Sequence, residues 1–323
     1  MERIKFTKKP RLKSPLLVVA WPGMGEVAFK AASFLIDKVK AEPFAELSSE
    51  EFFYLTESVV QQGILSLPAM PFNKFFYAKV KGASRDLIIF LSDAQPDLAR
   101  AEDYCQSIIS LAKSFKVKRI VSFAAMPQPM DHTQQPGVWF TATSKGLVEE
   151  LKPLSMRLLS DGQISGLNGL FLGLAKREGF DGLCLLGEIP LYTIQIENPK
   201  ASRAVLEIFC TIAGLRFDFA ELIDQGHLME EQINGLLDHL KLGSGQSPGP
   251  IGDDEIEKIK KTLSQLTKLP VSVKEKIEKL FLQAKTDISR ANELKAELDK
   301  WSVYKDYEDR FLDLFKKAKG KNN

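Results

Sequence analysis

Long apolar runs are missing from this chain. Nothing in it approaches the ~20 consecutive apolar residues that a membrane-spanning helix needs, and its N-terminus carries no apolar signal-peptide core behind the first charges. A cytoplasmic protein with no membrane partner is therefore expected. Cysteine is scarce as well: Cys105, Cys184 and Cys210 are odd in number and lie in stretches that read as helix, buried strand and helix. That spacing excludes a disulfide framework and leaves reduced core thiols. Histidine is equally sparse, and His132, His227 and His239 form no i,i+4 pair and have no cysteine cluster beside them. This argues against a metal hydrolase, and no metal site is expected. A dominant charge is lacking too, since 44 Lys+Arg against 42 Asp+Glu leave a formal +2. No global field draws in nucleic acid. The best local basic candidate, Arg3, Lys5, Lys8, Lys9, Arg11 and Lys13, reads as a solvated leader strand, and no nucleic-acid partner is expected.

What is present is ordinary globular material: 323 residues, 44% hydrophobic and 27% charged, enough for one sizeable domain plus an extension. Pro15 to Trp21, Leu87 to Ser92, Arg119 to Ala124 and Gly182 to Gly187 are continuous apolar runs, the pattern of strands covered on both faces. Phe44 to Leu47 and Val138 to Thr143 add further strands, and Phe52 to Leu55, Ile64 to Leu67 and Phe75 to Val80 are short pieces whose spacing predicts an antiparallel excursion. Helical spacing is predicted from the glycine loop after Trp21 to about Val39, and over Ala99–Phe115, Leu167–Arg177, Pro199–Ala213 and Asp218–Leu240. Apolar strands alternating with crossover-length helices predict an α/β fold with a mainly parallel sheet over residues 1–242. Residues 243–252 are a Gly/Ser/Pro-rich linker. In 253–323 the apolar residues Ile256, Ile259, Leu263 and Leu266, then Ile277, Phe281, Ala284, Ile288 and Ala291, alternate spacings of three and four, which predicts a coiled-coil-like helical hairpin.

Four loops follow the carboxyl ends of the apolar strands, and in a parallel sheet they converge on one edge, where open α/β folds bind ligands. The candidate cleft residues there are Trp21, Gly23, Gly25, Asp93, Gln95, Asn168, Gly187 and Glu188. Gly23-Met-Gly25-Glu-Val-Ala28 fits a G-x-G-x-x-A dinucleotide fingerprint, with Glu46 about twenty residues on. The carboxylate of Glu26, however, falls where a pyrophosphate would bind, so a tight strand-to-helix turn is the preferred reading and no cofactor is expected. Asp93 and Glu188 are a pair of carboxylates that suits acid/base work, but a turn cap for Asp93 and a place in a partner-binding rim for Glu188 are the preferred reading. No G-x-S-x-G elbow, P-loop lysine or Ser/His/Asp order is present, and no catalytic residue is assigned.

At these loops the sequence resembles the proteasome assembly chaperone family, in the branch of its second chaperone subunit. The resemblance is carried by Trp21-Pro-Gly-Met-Gly25, Asp93-Ala-Gln-Pro96, Gly162-Gln-Ile-Ser-Gly-Leu-Asn-Gly169, Cys184-Leu-Leu-Gly-Glu-Ile-Pro190 and Asn198-Pro-Lys-Ala-Ser-Arg-Ala-Val-Leu206, in family order across roughly residues 14 to 225. It implies a three-layer α/β fold like that of nucleoside phosphorylases, a homo-oligomer, and a non-catalytic chaperone or scaffold with protein partners. Archaeal relatives engage proteasome rings through a C-terminal hydrophobic-tyrosine-any-residue tail. This chain closes on Gly320-Lys-Asn-Asn323, which argues against a proteasome-like client reached in that way. An enzyme acting on a nucleotide or nucleoside in the strand-end cleft, ATP-dependent ligase-like or phosphorylase-like, is the rival expectation. In the extension, Phe281, Trp301, Tyr304 and Phe311, with Tyr307 and Phe315, exceed what a two-helix seam needs, so Phe281, Trp301, Tyr304 and Phe311 are the expected contacts to a partner or another subunit.

Overall fold

The computed structural model describes residues 3–55, 58–80, 85–243, 271–286, 290–300 and 304–319. Its centre is four parallel strands, β2 (Leu16–Ala20), β7 (Leu87–Ser92), β8 (Arg119–Gln128) and β11 (Asp181–Pro190), adjacent in the order β7-β2-β8-β11. Side chains alternate across a strand, so each run feeds two layers. Leu17, Val19 and Trp21 enter one core with Ile88 and Phe90, while Leu16, Val18 and Ala20 enter the other with Leu87, Ile89 and Leu91. The first core is closed by α2 (Ala101–Ser114) and α4 (Leu167–Arg177), the second by α1 (Val27–Lys38) and α5 (Pro199–Ala213). That is the three-layer α/β arrangement.

The sheet is mixed, with antiparallel flanks on the parallel centre. On the β7 side, β6 (Asn73–Ala78), β3 (Glu42–Leu47) and β1 (Ile4–Phe6) continue antiparallel. Beyond β11 come β9 (Val138–Ala142), antiparallel to it, and the two-residue β10 (Arg157–Leu158). β4 (Val59–Gln61) and β5 (Ile64–Ser66) pair only with each other. The antiparallel excursion is thus present, but Phe52–Leu55 is turn and coil that buries Phe52 and Phe53. α3 (Lys145–Leu151) and β10 have no counterpart in the sequence reading. The ends of α5 show why its limits were legible: the Asn198 side chain accepts from the Ala201 N–H at 3.0 Å, Pro199 opens the first turn, and Gly214 closes the helix at φ +70°. A long α6 (Ala220–Gly243) follows.

In the extension, the first predicted arm, Ile256 to Leu266, lies outside the described residues, as do Ile288 and Trp301. The described part is three helices where a two-armed hairpin was expected: α7 (Val271–Thr286), α8 (Ala291–Lys300) and α9 (Tyr304–Lys319). They share a core of Ile277, Leu280, Phe281, Ala284, Ala291, Leu294, Leu298, Phe311 and Leu314. Among the described residues, no helix is long and apolar enough to cross a membrane.

Candidate functional site

The loop after Trp21 turns sharply because Gly25 adopts φ +61°, which a side chain rarely tolerates, and a Cβ there would lie 3.3 Å from Ile189 and 3.4 Å from Asn198. Its N–H donates to the Ile194 carbonyl at 2.8 Å, and its carbonyl accepts from the Asn198 N–H at 2.8 Å. The Glu26 N–H donates to the Gly23 carbonyl at 3.0 Å. The Gly25 and Glu26 N–H groups are therefore engaged within the chain. Glu46, the would-be ribose partner, stands on β3, which β6 and β7 separate from β2. The fingerprint segment makes a tight strand-to-helix turn.

Asn168, in the first turn of α4 and 5% exposed, holds the end of β2 from both sides. Its Oδ1 accepts from the Trp21 N–H and its Nδ2 donates to the Trp21 carbonyl, each at 3.1 Å. Gln95 does the same for the neighbouring turns, donating to the Pro22 carbonyl at 2.8 Å and accepting from the Leu167 N–H at 3.1 Å. Under this edge the buried Trp21 indole donates to the Tyr104 hydroxyl at 3.1 Å, and that hydroxyl donates to Asn73 Oδ1 at 2.5 Å. Asn73 Nδ2 in turn donates to Ser49 Oγ at 2.8 Å, and Ser49 donates to the Pro71 carbonyl at 2.5 Å. Burial holds the Tyr104 hydroxyl well above its ordinary value. Tyr104, Asn73 and Ser49 went unnoticed in the sequence, because partners 22 to 83 residues apart leave no local pattern.

Gly23, Gln95 and Asn168 line a cleft of about 170 Å³ together with Met24, Ala28, Ala124 to Pro127, Gln163 to Ser165, Leu186 and Leu191. Trp21 and Gly25 are buried and do not line it. Asp93, Gly187 and Glu188 are not brought to its lining. Asp93 Oδ1 accepts from the Phe72 N–H at 2.8 Å. Gly187 lets α5 approach the sheet, since a Cβ there would fall 2.8 Å from the Ala201 carbonyl oxygen. Glu188 accepts from the Gly137 N–H, the Trp139 indole and Arg157, each at 2.8 Å, and so ties β9 and β10 to β11. The two carboxylates of the acid/base expectation serve separate structural sites.

No ionisable side chain lines the cleft, and its volume is below the ~300–1,000 Å³ of ordinary small-molecule sites. The cysteines lie elsewhere, buried, each pushed up to about 12 by burial. A second buried polar cluster fastens α6. His132 Nε2 lies 2.9 Å from Asn234 Oδ1 and Nδ1 lies 2.9 Å from the Tyr192 hydroxyl, which also accepts from the His132 N–H at 2.8 Å. Since an amide oxygen only accepts, Nε2 is the donor of this bond. Among the described residues, no group of three or more His, Cys, Asp or Glu could hold a metal ion.

Residues 17–237, about two thirds of the chain, match the model of the PAC2 family. The chain belongs to the PAC2 family. It is similar to the uncharacterized protein MJ1210 of Methanocaldococcus jannaschii, 27% identical over 248 residues that cover 75% of this chain and 92% of that protein. Among solved structures it is similar to Pyrococcus furiosus PbaB, an archaeal proteasome activator, with a TM-score of 0.63 and 27% identity over 72% of this chain and 97% of the other. The proteasome-assembly chaperone homologue Rv2125 of Mycobacterium tuberculosis shares the fold, with a TM-score of 0.58 and 19% identity over 68% of this chain and 94% of that one.

The aromatics of the extension are placed differently from the expectation. Phe281 and Phe311 are buried inside the three-helix core, because α9 folds onto α7: the Arg310 guanidinium lies 4.1 Å from the Phe281 ring centroid and makes two hydrogen bonds of 2.5 Å to Glu278. Tyr304 is half-buried against Phe311, ring centroids 5.5 Å apart. Trp301 is outside the described residues. Among the described residues of the extension, the large outward apolar groups are Leu282, Leu312 and Phe315.

Proposed function

We propose that this chain is a non-catalytic assembly scaffold that works by binding protein. The observation that carries the reading is the chemistry of the strand-end cleft, where no ionisable group lines the walls and both Gln95 and Asn168 are engaged with backbone. Acid/base or nucleophilic chemistry needs a titratable group converging on a pocket. The family membership supports the same reading, as does the likeness to a protein described as an archaeal proteasome activator. In this proposal residues 1–242 are the scaffold domain and 243–252 the tether. Residues 253–323 are the recognition element, built on Phe281, Trp301, Tyr304 and Phe311 and presenting Leu312 and Phe315 outward. The working form is a homo-oligomer.

Calorimetric titration with ATP, NAD and nucleosides is expected to give nothing tighter than ~0.1 mM. Micromolar binding that Gly25→Val abolishes would instead favour an enzyme acting on a nucleotide or nucleoside. In cross-linking capture from native cytoplasm, proteins recovered with the full chain are expected to be lost with the double variant Leu312→Ser, Phe315→Ser.

A further inference from the structure

β8 outruns one of its neighbours. It pairs with β11 along its whole length, from Arg119 opposite Asp181 to Gln128 opposite Pro190, whereas β2 lies beside it only as far as Val19 opposite Ser122. Past Ser122 one side of β8 carries no strand, and Ala124, Ala125, Met126 and Pro127 line the strand-end cleft. In an extended strand the N–H and C=O of one residue point to the same side, and the side alternates along the chain. Which residues face the cleft is fixed by β11. Its residues on the α2/α4 face, Cys184, Leu186 and, two further on, Glu188, turn these groups away from β8. The Glu188 N–H donates to the Gly137 carbonyl at 3.0 Å, and the Gly182 carbonyl, in the same phase, accepts from the Thr143 N–H at 2.9 Å, both on the β9 side.

β8 runs parallel to β11, so its residues on that same face, Ile120 and Ala124, point toward β11, while those on the opposite face, Val121, Phe123 and Ala125, point away from it. For Val121 that side is β2. For Ala125 it is the cleft. Ala125 is 8% exposed; β2 ends before it, β11 is on its other side, and among the described residues no turn or loop hydrogen bond reaches its N–H or its carbonyl. An unmade donor and acceptor side by side on a nearly buried residue are one half of a strand pairing. Pro127, two residues on and in the same phase, has no N–H to offer, so the open donor edge stops there.

We infer that this edge docks an extended, uncharged peptide segment of a protein partner, one residue of which exchanges both main-chain hydrogen bonds with Ala125 while its side chain enters the cleft. The walls select that occupant. They carry no ionisable side chain, so a phosphate, a carboxylate or a charged side chain would lose its hydration without meeting a counter-charge. Met24, Ala28, Met126, Leu186 and Leu191 offer apolar surface instead. Gln95 and Asn168 already bond to the chain's own backbone, which leaves the strand edge as the hydrogen-bonding group of fixed direction. The size agrees: an apolar cavity of ~150 Å³ admits a benzene-sized group, so about 170 Å³ holds one side chain and not a base with its sugar. The inference rests on the reading of the chain as a protein-binding scaffold and gives the α/β domain a peptide site of its own, apart from the C-terminal helices.

Calorimetric titration of the full chain with the blocked peptide acetyl-Ala-Leu-Ala-amide tests this. Saturable binding is expected, with a Kd of about 1 mM or tighter. Acetyl-Ala-(N-methyl-Leu)-Ala-amide, which lacks the pairing N–H, and acetyl-Ala-Lys-Ala-amide, which brings a charge, are each expected to bind about ten-fold more weakly or worse. Ala125→Pro removes the donor from the edge, as Pro127 does further on, and is expected to cost the Leu peptide a similar factor. Leu191→Asp, at a cleft side chain that is 41% exposed, is expected to weaken the Leu peptide and strengthen the Lys peptide. If Ala125→Pro does not fold by far-UV circular dichroism, the methylated peptide and Leu191→Asp decide. Equal affinity of the native chain for the methylated and unmethylated Leu peptides, or no saturation up to about 10 mM, would overturn the strand pairing and leave the scaffold reading standing. Micromolar binding of ATP, NAD or a nucleoside that displaces the peptide would overturn the scaffold reading itself.

Discussion

At the strand-end edge of the sheet, polar side chains hold the structure together. Asn168, Gln95, Tyr104 and Glu188 are buried or half-buried, and each bonds to backbone or to another side chain. In the C-terminal helices the roles are reversed: aromatic and aliphatic side chains hold the centre, and charged pairs such as Arg310–Glu278 lie on the outside. Both regions were expected to present ligand or partner contacts, and both instead turn most of those residues inward. A polar residue on a strand-end loop and a surplus aromatic on a helix are each as well explained by an intrachain partner as by an external one. What discriminates is the group left outside, which in the α/β domain includes the uncharged β4–β5 hairpin and in the extension Leu282, Leu312 and Phe315.

The comparison is broken most directly in the helices. Phe311→Ser removes a buried ring and places a hydroxyl there, a loss of about 3–5 kcal/mol, more than a three-helix cluster of this size sustains. Far-UV circular dichroism is expected to lose the helical signal of the extension while the main melting transition stays in place. A chain truncated after Leu242 is expected to remain folded with the same main transition. A main transition that drops with either change would show that the two regions unfold as one unit.

At the edge, Asn168→Ala should act on the whole domain. It leaves the buried Trp21 N–H and carbonyl without partners, at about 2–4 kcal/mol, read as a lower urea midpoint with unchanged m-value. Glu188→Gln keeps an acceptor for two of its three donors and should cost less, about 1–2 kcal/mol. If Asn168→Ala is neutral, the polar frame is dispensable and the contrast between the two regions fails.

The frame of the fold was legible where the signal is local and two-sided. β2, β7, β8 and β11 were readable because each is apolar on both faces, and α4 and α5 because Gly166, Asn198-Pro199 and Gly214 mark their limits. Ala125–Pro129 and Gly187–Pro190, which carry prolines, read as loops, yet β8 and β11 pair through Gln128 and Pro190. The reason is topological. β2 stops opposite Ser122, so beyond it β8 has a free side on which proline forfeits no ladder bond. The cleft residues after the strands were legible in kind, as Gly23, Gln95 and Asn168 show. The direction of Asp93 and Glu188 was not, because it depends on Phe72 and on Trp139 and Arg157, far away in the chain.

The smallest effects carry opposite signs in the two regions. Glu26, in the left-handed conformation at φ +50°, has its carboxyl raised above the ordinary value of 4.5, mainly by burial and further by the nearby Glu197, against the opposing backbone contact of Gly23. The folded chain therefore binds this proton more tightly than the unfolded one, and stability falls as pH rises from 4.5 through the raised folded value. Glu26→Gln removes that deficit and is expected to raise Tm at pH 7 by about 1–2 °C, with no difference from the native chain below pH ~4. Glu278 is the converse, held below 4.5 chiefly by its hydrogen bonds to Arg310. Its contribution is present above 4.5 and is lost as pH falls through the lowered folded value. Because both partners of this pair are nearly half exposed, solvent screening limits it to a few tenths of a kcal/mol. Glu278→Gln is therefore expected to weaken only the helical signal of the extension, slightly, at neutral pH. Thermal scans of the two variants at pH 4 and pH 7 check the pair: two shifts of the same sign at pH 7 would show that the edge and the extension do not treat their carboxylates oppositely.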